Sequence, residues 1–289
     1  MDGAGGGGAN RDGETTFLGV DLAWGRRNPT GVCAVRGGRV RDSALLRTDE
    51  EIIRWLAGWT GGRCVVGIDA PLVVPNATGR RMCESVVTRW LGSRHAGAHS
   101  SNTGMPAFAD GPRGAHIARE LGLSLDPAAP RCAIEVYPHA ALVVLFDLPT
   151  TLGYKAKAGR TMAHRREQFG QLMVLVEALR HATPALRVAG PRWTALRGEV
   201  ASPSSGAALD RAEDEIDAHI CAYIAMHLRA HGDAGARVIG DPAGGAIVCP
   251  IVRADGSRHS GLHERLDAAV NVALRTDAGS GLDKTTPRG

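Results

Sequence analysis

Five carboxylates occupy positions where unpartnered charge is expensive. Asp21 lies in the middle of the apolar run FLGVDLAW, Asp69 near the end of CVVGIDAP, and Glu135 inside CAIEVYP. Each run has the make-up of a buried strand, and a carboxylate there is costly unless it is paired or bound to a metal. An Asp that closes a strand also commonly caps the next turn, and for Asp69, followed by Ala70 and Pro71, this plainer role stands beside the chemical one. Asp214 and Asp217 are three apart in AEDEIDAHICAYIAMHL, so on a helix they share a face that continues through Cys221 and Ile224. Their neighbours Asp210, Glu213 and Glu215 fit the ordinary role of acids early in a helix, complementing its dipole. Clustered carboxylates raise one another's pKa, and a hard cation such as Mg²⁺ or Mn²⁺ relieves the repulsion because it prefers oxygen ligands. Two such ions about 3.5–4 Å apart can activate a water and stabilise the leaving oxygen in phosphodiester hydrolysis. The pattern therefore predicts catalytic and metal-ligating roles for Asp21, Asp69, Glu135, Asp214 and Asp217, with Asp69 and Glu135 competing for the place of second acid.

An anionic substrate needs cations. Segment 153–200 holds nine Lys or Arg against three Asp or Glu, which suits a phosphate-rich partner such as DNA or RNA and equally suits a solvated helix face. Lys155, Lys157 and Lys284 are the only lysines of the chain, and two of them fall in the stretch YKAKA. A compact ammonium chosen over guanidinium points to a phosphate or to the acidic cluster, against the alternative of a basic loop. Arg80 and Arg81 precede Glu84 at a helix start; Arg81 can grip a phosphate bidentately or pair with that Glu. Lys155, Lys157 and Arg81 are thus the candidate substrate-binding residues.

Histidine and cysteine offer less. His95 and His99 are four apart in a glycine-bearing loop without a nearby third ligand, which argues against zinc. His139 and His219 each neighbour a candidate acid and have either a proton-shuttling or a structural role. The six cysteines form no CxxC pair, and Cys33, Cys64, Cys132 and Cys249 lie in apolar, strand-like runs as small buried hydrophobes.

These residues must be positioned by elements the chain announces. Residues 17–24, 30–36 and 39–46 read as strands, the last two joined by Gly37-Gly38, a pair suited to a tight hairpin. Thr48 with Glu51 three residues on has the spacing of a reciprocal helix cap, before the apolar face of Ile52, Ile53, Leu56 and Trp59. Residues 64–70 and 132–137 give two further strands, each stopped by a proline, and helices are expected over 79–92, 139–146, 160–181 and 207–231. The order β-β-β-α-β-α-β-α implies an α/β fold of RNase H-like type, a mixed five-stranded sheet flanked by helices. It would span residues 16–252, with an insertion near 93–130, a disordered N-terminus over 1–15 and a flexible tail over 253–289.

GVDLAW at 19–24, GIDAPL at 67–72, EVYPHAAL at 135–142, GYKAKAGR at 153–160 and DEIDA at 214–218 together resemble an uncharacterised-domain family, number four-hundred-and-twenty-nine of the DUF series. GDPAGGAIVCP at 240–250 is similar to the closing segment of that family. The resemblance covers residues 17–251 and implies a nuclease of RNase H-like fold. The helix bearing Asp214 and Asp217 is also similar to the last catalytic helix of Holliday-junction resolvases.

No apolar run approaches the roughly 18–20 residues that cross a bilayer, and the Gly-rich start lacks the layout of a signal peptide, so a cytoplasmic protein with no membrane partner is expected. The expected function is metal-dependent phosphodiester hydrolysis by a nuclease or resolvase-like enzyme. Two alternatives stand beside it. One is a non-catalytic nucleic-acid or ligand-binding protein on the same fold. The other is a nucleotide-binding phosphotransferase, for which DLAWGRRNPTG is a poor phosphate loop.

Overall fold

The structure, a computed structural model, describes residues 14–25, 28–258 and 261–280. The chain opens with a meander of β1 (Thr16–Asp21), β2 (Thr30–Arg36) and β3 (Arg39–Leu46). Gly37 and Gly38 turn between β2 and β3 with φ of 61° and 66°, a conformation that glycine adopts without steric cost. Helix α1 (Asp49–Ala57) starts with the anticipated cap: Thr48 Oγ1 accepts from the Glu51 amide, and the Glu51 carboxylate accepts from the Thr48 amide.

Then follow β4 (Cys64–Ile68), α2 (Met82–Leu91), α3 (Arg113–Glu120), β5 (Arg131–Val136) and α4 (Pro138–Leu145). The last part comprises α5 (Met162–Ala178), α6 (Pro191–Ala201), α7 (Gly206–His231), β6 (Ala236–Asp241), β7 (Gly245–Pro250) and α8 (Leu262–Ser280). One open sheet runs β3-β2-β1-β4-β5-β7-β6. Its β1–β4, β4–β5 and β5–β7 pairs are parallel, and the two outer hairpins are antiparallel.

The sheet is covered on both faces. Helices α5, α6 and α7 pack over Cys33, Val65, Cys132, Ile134 and Val136. On the other face, α1 and α3 bury Ile52, Leu56 and Ile117 against Leu18, Val20, Val66 and Ile68. At the far end, α2, α4 and α8 enclose Ile239, Ile247 and Cys249 of the β6–β7 hairpin. All six cysteines are buried and free. No helix among the described residues is long and apolar enough to cross a membrane.

Two expectations need correction. The sheet has seven strands, not five, because β6 and β7 extend it past β5. The segment near 93–130, expected to be a partly structured insertion, carries α3, whose Ile117 is buried in the core. The stretch beyond 253, expected to be a flexible tail, instead carries α8, whose Leu262, Leu266, Ala269 and Ala273 are buried. The Trp90 indole of α2 donates to the Leu262 carbonyl at 2.9 Å. Residues 1–13 of the expected N-terminal disorder, and 281–289 of the tail, lie outside the described residues.

Candidate functional site

Strand register decides which acids can meet. Gly19 pairs with Gly67 and Val20 with Ile68 between β1 and β4, and Ile68 pairs with Glu135 between β4 and β5. The Asp69 amide donates to the Val20 carbonyl at 2.8 Å, which carries the β1–β4 ladder one step further. Side chains alternate along a strand, so Asp21 and Asp69 share the face that also holds Val136 and lies under α7. Glu135, level with Val20 and Ile68, belongs to the opposite face.

Three glycines let α7 settle onto the sheet. A Cβ on Gly19 would lie 1.8 Å from the Ala218 carbonyl oxygen, one on Gly31 1.9 Å from that of Asp214, and one on Gly67 2.5 Å from that of Cys221. The helix backbone therefore rests directly on β2, β1 and β4, closer than any side chain permits. Gly31 is paired with Asp21, so Asp214 and Asp217 arrive beside the two strand acids. The sequence writes this device twice, as Gly19-Val20-Asp21 and Gly67-Ile68-Asp69: glycine for the helix, then acid on the same face two residues later.

The segment after α4 closes the cluster. Asp217 is fully buried; its Oδ1 accepts from the Tyr154 hydroxyl at 2.9 Å, and its Oδ2 lies 2.7 Å from Lys155 Nζ. Lys155 Nζ is also 3.5 Å from Glu213 Oε1. Arg165, from α5, donates to the Tyr154 carbonyl at 2.8 Å and pairs with Asp210 at 2.6 Å, fastening the segment to α7. Tyr154 and Glu213 are members the sequence did not reveal: a Tyr next to Lys155 and an acid one residue before Asp214 looked unremarkable.

The acids crowd one another. Burial, then the charges of Asp69, Asp217 and Asp214, hold Asp21 well above the usual carboxylate range against the pull of Lys155. Burial, together with the neighbouring carboxylates Asp217 and Glu135, pushes Asp69 up to about 7. Asp214 rises to about 7 through burial and the charge of Glu213, and Glu213 to about 7 through burial and the charge of Asp217. Burial disfavours the Lys155 ammonium, yet Asp217 and Asp21 hold its pKa well above the ordinary lysine value.

Glu135 and Arg81 line the same cleft but are bound to each other. Arg81 clasps Glu135 through two bonds of 2.8 and 2.5 Å, and the Leu72 amide donates to the same carboxylate at 3.0 Å. Arg81 Nε donates to Glu84 at 2.9 Å, and Glu84 also accepts from the Ser101 amide at 3.1 Å. Both partners of the pair, expected to offer a metal ligand and a phosphate grip, are nearly inaccessible and form a buried brace joining β5, α2 and the loop after β4. The Arg81–Glu84 pair expected at the surface does form, but it is buried.

Asp21, Asp69 and Lys155 line a cleft of about 300 Å³, with Trp24 and His139 on its walls and the exposed Lys157 beside it. His139 is buried, its Nε2 has no hydrogen-bond partner, and burial with the charges of Lys155 and Lys157 holds it well below the usual histidine value, hence neutral. His95 and His99 line the same cleft. His219 is not part of it; its ring nitrogen bonds the Glu215 carbonyl oxygen on α7 at 2.8 Å. Glu215 itself is buried and held by Ser43 and Arg192, a structural anchor.

As placed, no three His, Cys, Asp or Glu side chains among the described residues enclose a metal ion; the ammonium of Lys155 supplies the counter-charge. The donor set is nonetheless that of a hard divalent cation, all carboxylate oxygen. The residues therefore fit Mg²⁺ or Mn²⁺ by chemistry.

Fold and site together define a mixed α/β protein with an acidic cleft at one end of its parallel strands. The model of the family described as "Protein of unknown function (DUF429)" matches residues 19–243, and the chain belongs to that family. No curated protein and no solved structure matches it.

Proposed function

We propose that this protein is a metal-dependent phosphodiester hydrolase acting on nucleic acid, a nuclease or resolvase-like enzyme of RNase H-like fold. The observation that carries the reading is the clustering of Asp21 from β1 and Asp69 after β4, both lining the cleft, with Asp214 and Asp217 of α7 behind them, and burial driving up the pKa values of Asp21, Asp69 and Asp214. An acid cluster held this way is under electrostatic strain that a divalent cation relieves. What supports the fold reading is the antiparallel β1–β2–β3 meander followed by parallel β4 and β5, with helices between, the element order expected of that class.

In this reading Asp21, Asp69, Asp214 and Asp217 hold the cation, with Glu213 at their edge. A bound Mg²⁺ or Mn²⁺ would supply an activated water and stabilise the leaving oxygen. Tyr154 fixes the rotamer of Asp217 by its hydroxyl bond. Lys155 lowers the pKa values of the acids against the effect of burial and, with Lys157, draws a phosphate into the cleft. The uncharged His139 lies on the cleft wall, where its ring can order a water without adding charge.

The test is a panel of single-stranded DNA, duplex DNA, branched DNA and RNA incubated with Mg²⁺, with Mn²⁺ and with chelator. Cleavage of at least one substrate that stops on chelation is expected. Intact substrates throughout would contradict the hydrolase reading.

A further inference from the structure

The cleft has a second wall that the acid chemistry does not use. Trp24 follows Asp21 by three residues, in the loop leaving β1, and lines the same cleft. Its indole is half-buried, held by edge contacts to Phe108 at 5.0 Å and His99 at 6.4 Å between ring centroids. It also lines a second cleft of about 440 Å³, which has the exposed Arg119 and His116 on its rim. Trp24 is thus the partition between two clefts, the first bearing acids and lysines, the second Arg113, Arg119 and His116 beside Asp49 and Asp110.

Planar rings concentrate here. Phe, Trp and Tyr make up only 4% of the chain, yet Trp24 and Tyr137 both line the acidic cleft, as do three of the eleven histidines, His95, His99 and His139. A site for a bare phosphate ester has no use for an indole. A site for a nucleotide does, because every base offers a flat apolar face and an aromatic ring is its natural platform.

We propose that Trp24 is a stacking platform for one unpaired nucleobase, so that the protein takes single-stranded nucleic acid threaded from the acidic cleft past the indole. This rests on the hydrolase reading and names its substrate class. Cations lie along the path: Lys155 and Lys157 flank the acids, and beyond Trp24 the exposed Arg119, beside Glu120, can reach the backbone. A paired base within a duplex presents no free face, so duplex nucleic acid engages only the backbone contacts.

The test is fluorescence anisotropy of the full-length protein with labelled oligothymidylate, oligouridylate, a fully abasic strand of equal length and a duplex, all in chelator so that nothing is cut. The wild type is expected to prefer the base-bearing single strands over the abasic strand by about tenfold, the low end for base–aromatic stacking. Trp24→Ala should remove that preference while leaving abasic binding unchanged, and Trp24→Phe should keep most of it. The DNA and RNA arms show which sugar is accepted. Equal affinity of the wild type for base-bearing and abasic strands overturns the platform without needing any variant to fold. A preference that survives in Trp24→Ala overturns it as well. Metal-dependent cleavage measured on the same preparations separates the two claims. Cleavage without base preference sinks the platform alone, and base preference without cleavage sinks the hydrolase reading alone.

Discussion

The ammonium of Lys155 stands 2.7 Å from Oδ2 of Asp217, a carboxylate with no solvent exposure. The pair joins the segment after α4 to the middle of α7, and it places a positive charge among acids that come from three separate parts of the chain. Because the lysine is itself only a quarter exposed, the pair behaves as an internal one.

Replacing Lys155 with Met removes that charge and leaves Asp217 buried without compensation. Breaking a buried ion pair from one side destabilises by about 3–5 kcal/mol, and the partial exposure of Lys155 places this case at the lower end. The metal-free variant should melt several degrees lower than wild type. Millimolar Mn²⁺ should restore part of the loss, since the cation takes over the neutralising role. Unchanged melting of the metal-free variant would show that the pair contributes nothing.

The raised acids set a pH dependence. A carboxylate whose folded pKa lies above its unfolded value contributes stability that is present at low pH and lost as pH rises through the folded value. With Asp69, Glu213 and Asp214 pushed up to about 7, the metal-free fold should lose stability from these groups between about pH 4 and 7, the window between their unfolded and folded values. His139 and His227, held low by burial, act in the opposite sense, so the informative quantity is the melting temperature of Asp69→Asn minus that of wild type. That difference should grow with rising pH in chelator and shrink in Mn²⁺. A flat difference would mean that Asp69 ionises as freely folded as unfolded.

The glycine row makes a steric prediction. Gly67→Ala places a methyl 2.5 Å from the Cys221 carbonyl oxygen and must push α7 off β4. Overpacking of this kind costs about 1–3 kcal/mol. Gly19→Ala, with 1.8 Å to the Ala218 carbonyl oxygen, should cost more. Both should weaken Mn²⁺ binding, because the acids of α7 and of the strands move apart. Thermal melts and metal titrations of the two variants check this, and wild-type stability in either would contradict the close seating of the helix.

Much of this was legible in the residues. The Gly37-Gly38 hairpin and the Thr48–Glu51 cap are local, decided by a few neighbouring residues, and so were the strand positions of Asp21 and Asp69. The pairing of Glu135 with Arg81 was not legible, because its face depends on register with β4, which its own strand does not encode. Arg81 offered two partners, and only the tertiary structure selects Glu135 and Glu84. Helix α6 was missed although Pro191 at its first turn and Trp193, Leu196 and Val200 give it a start and a face. Helix α8 hid in a polar stretch, its buried face resting on two leucines and two alanines spaced four, three and four apart.

That helix carries its own prediction. Ending the chain at residue 260 uncovers Trp90 and removes the burial of Leu262 and Leu266, each worth about 1.5–3 kcal/mol. A clear drop in melting temperature is expected. A truncated protein as stable as the full chain would show that α8 is dispensable to the core.

The central claim is that acids from β1, β4 and α7 form one cation site. Its most direct measurement is calorimetric titration of Mn²⁺ into wild type and Asp21→Asn above pH 7, which requires no knowledge of the substrate. Asn keeps the shape of Asp and removes its charge, and it also relieves the repulsion that burial imposes on the metal-free cluster, so the variant should be folded and at least as stable as wild type. Saturable binding to wild type, weakened at least about tenfold in the variant, is the predicted result. No binding to wild type at millimolar Mn²⁺, or equal binding to both proteins, would contradict it.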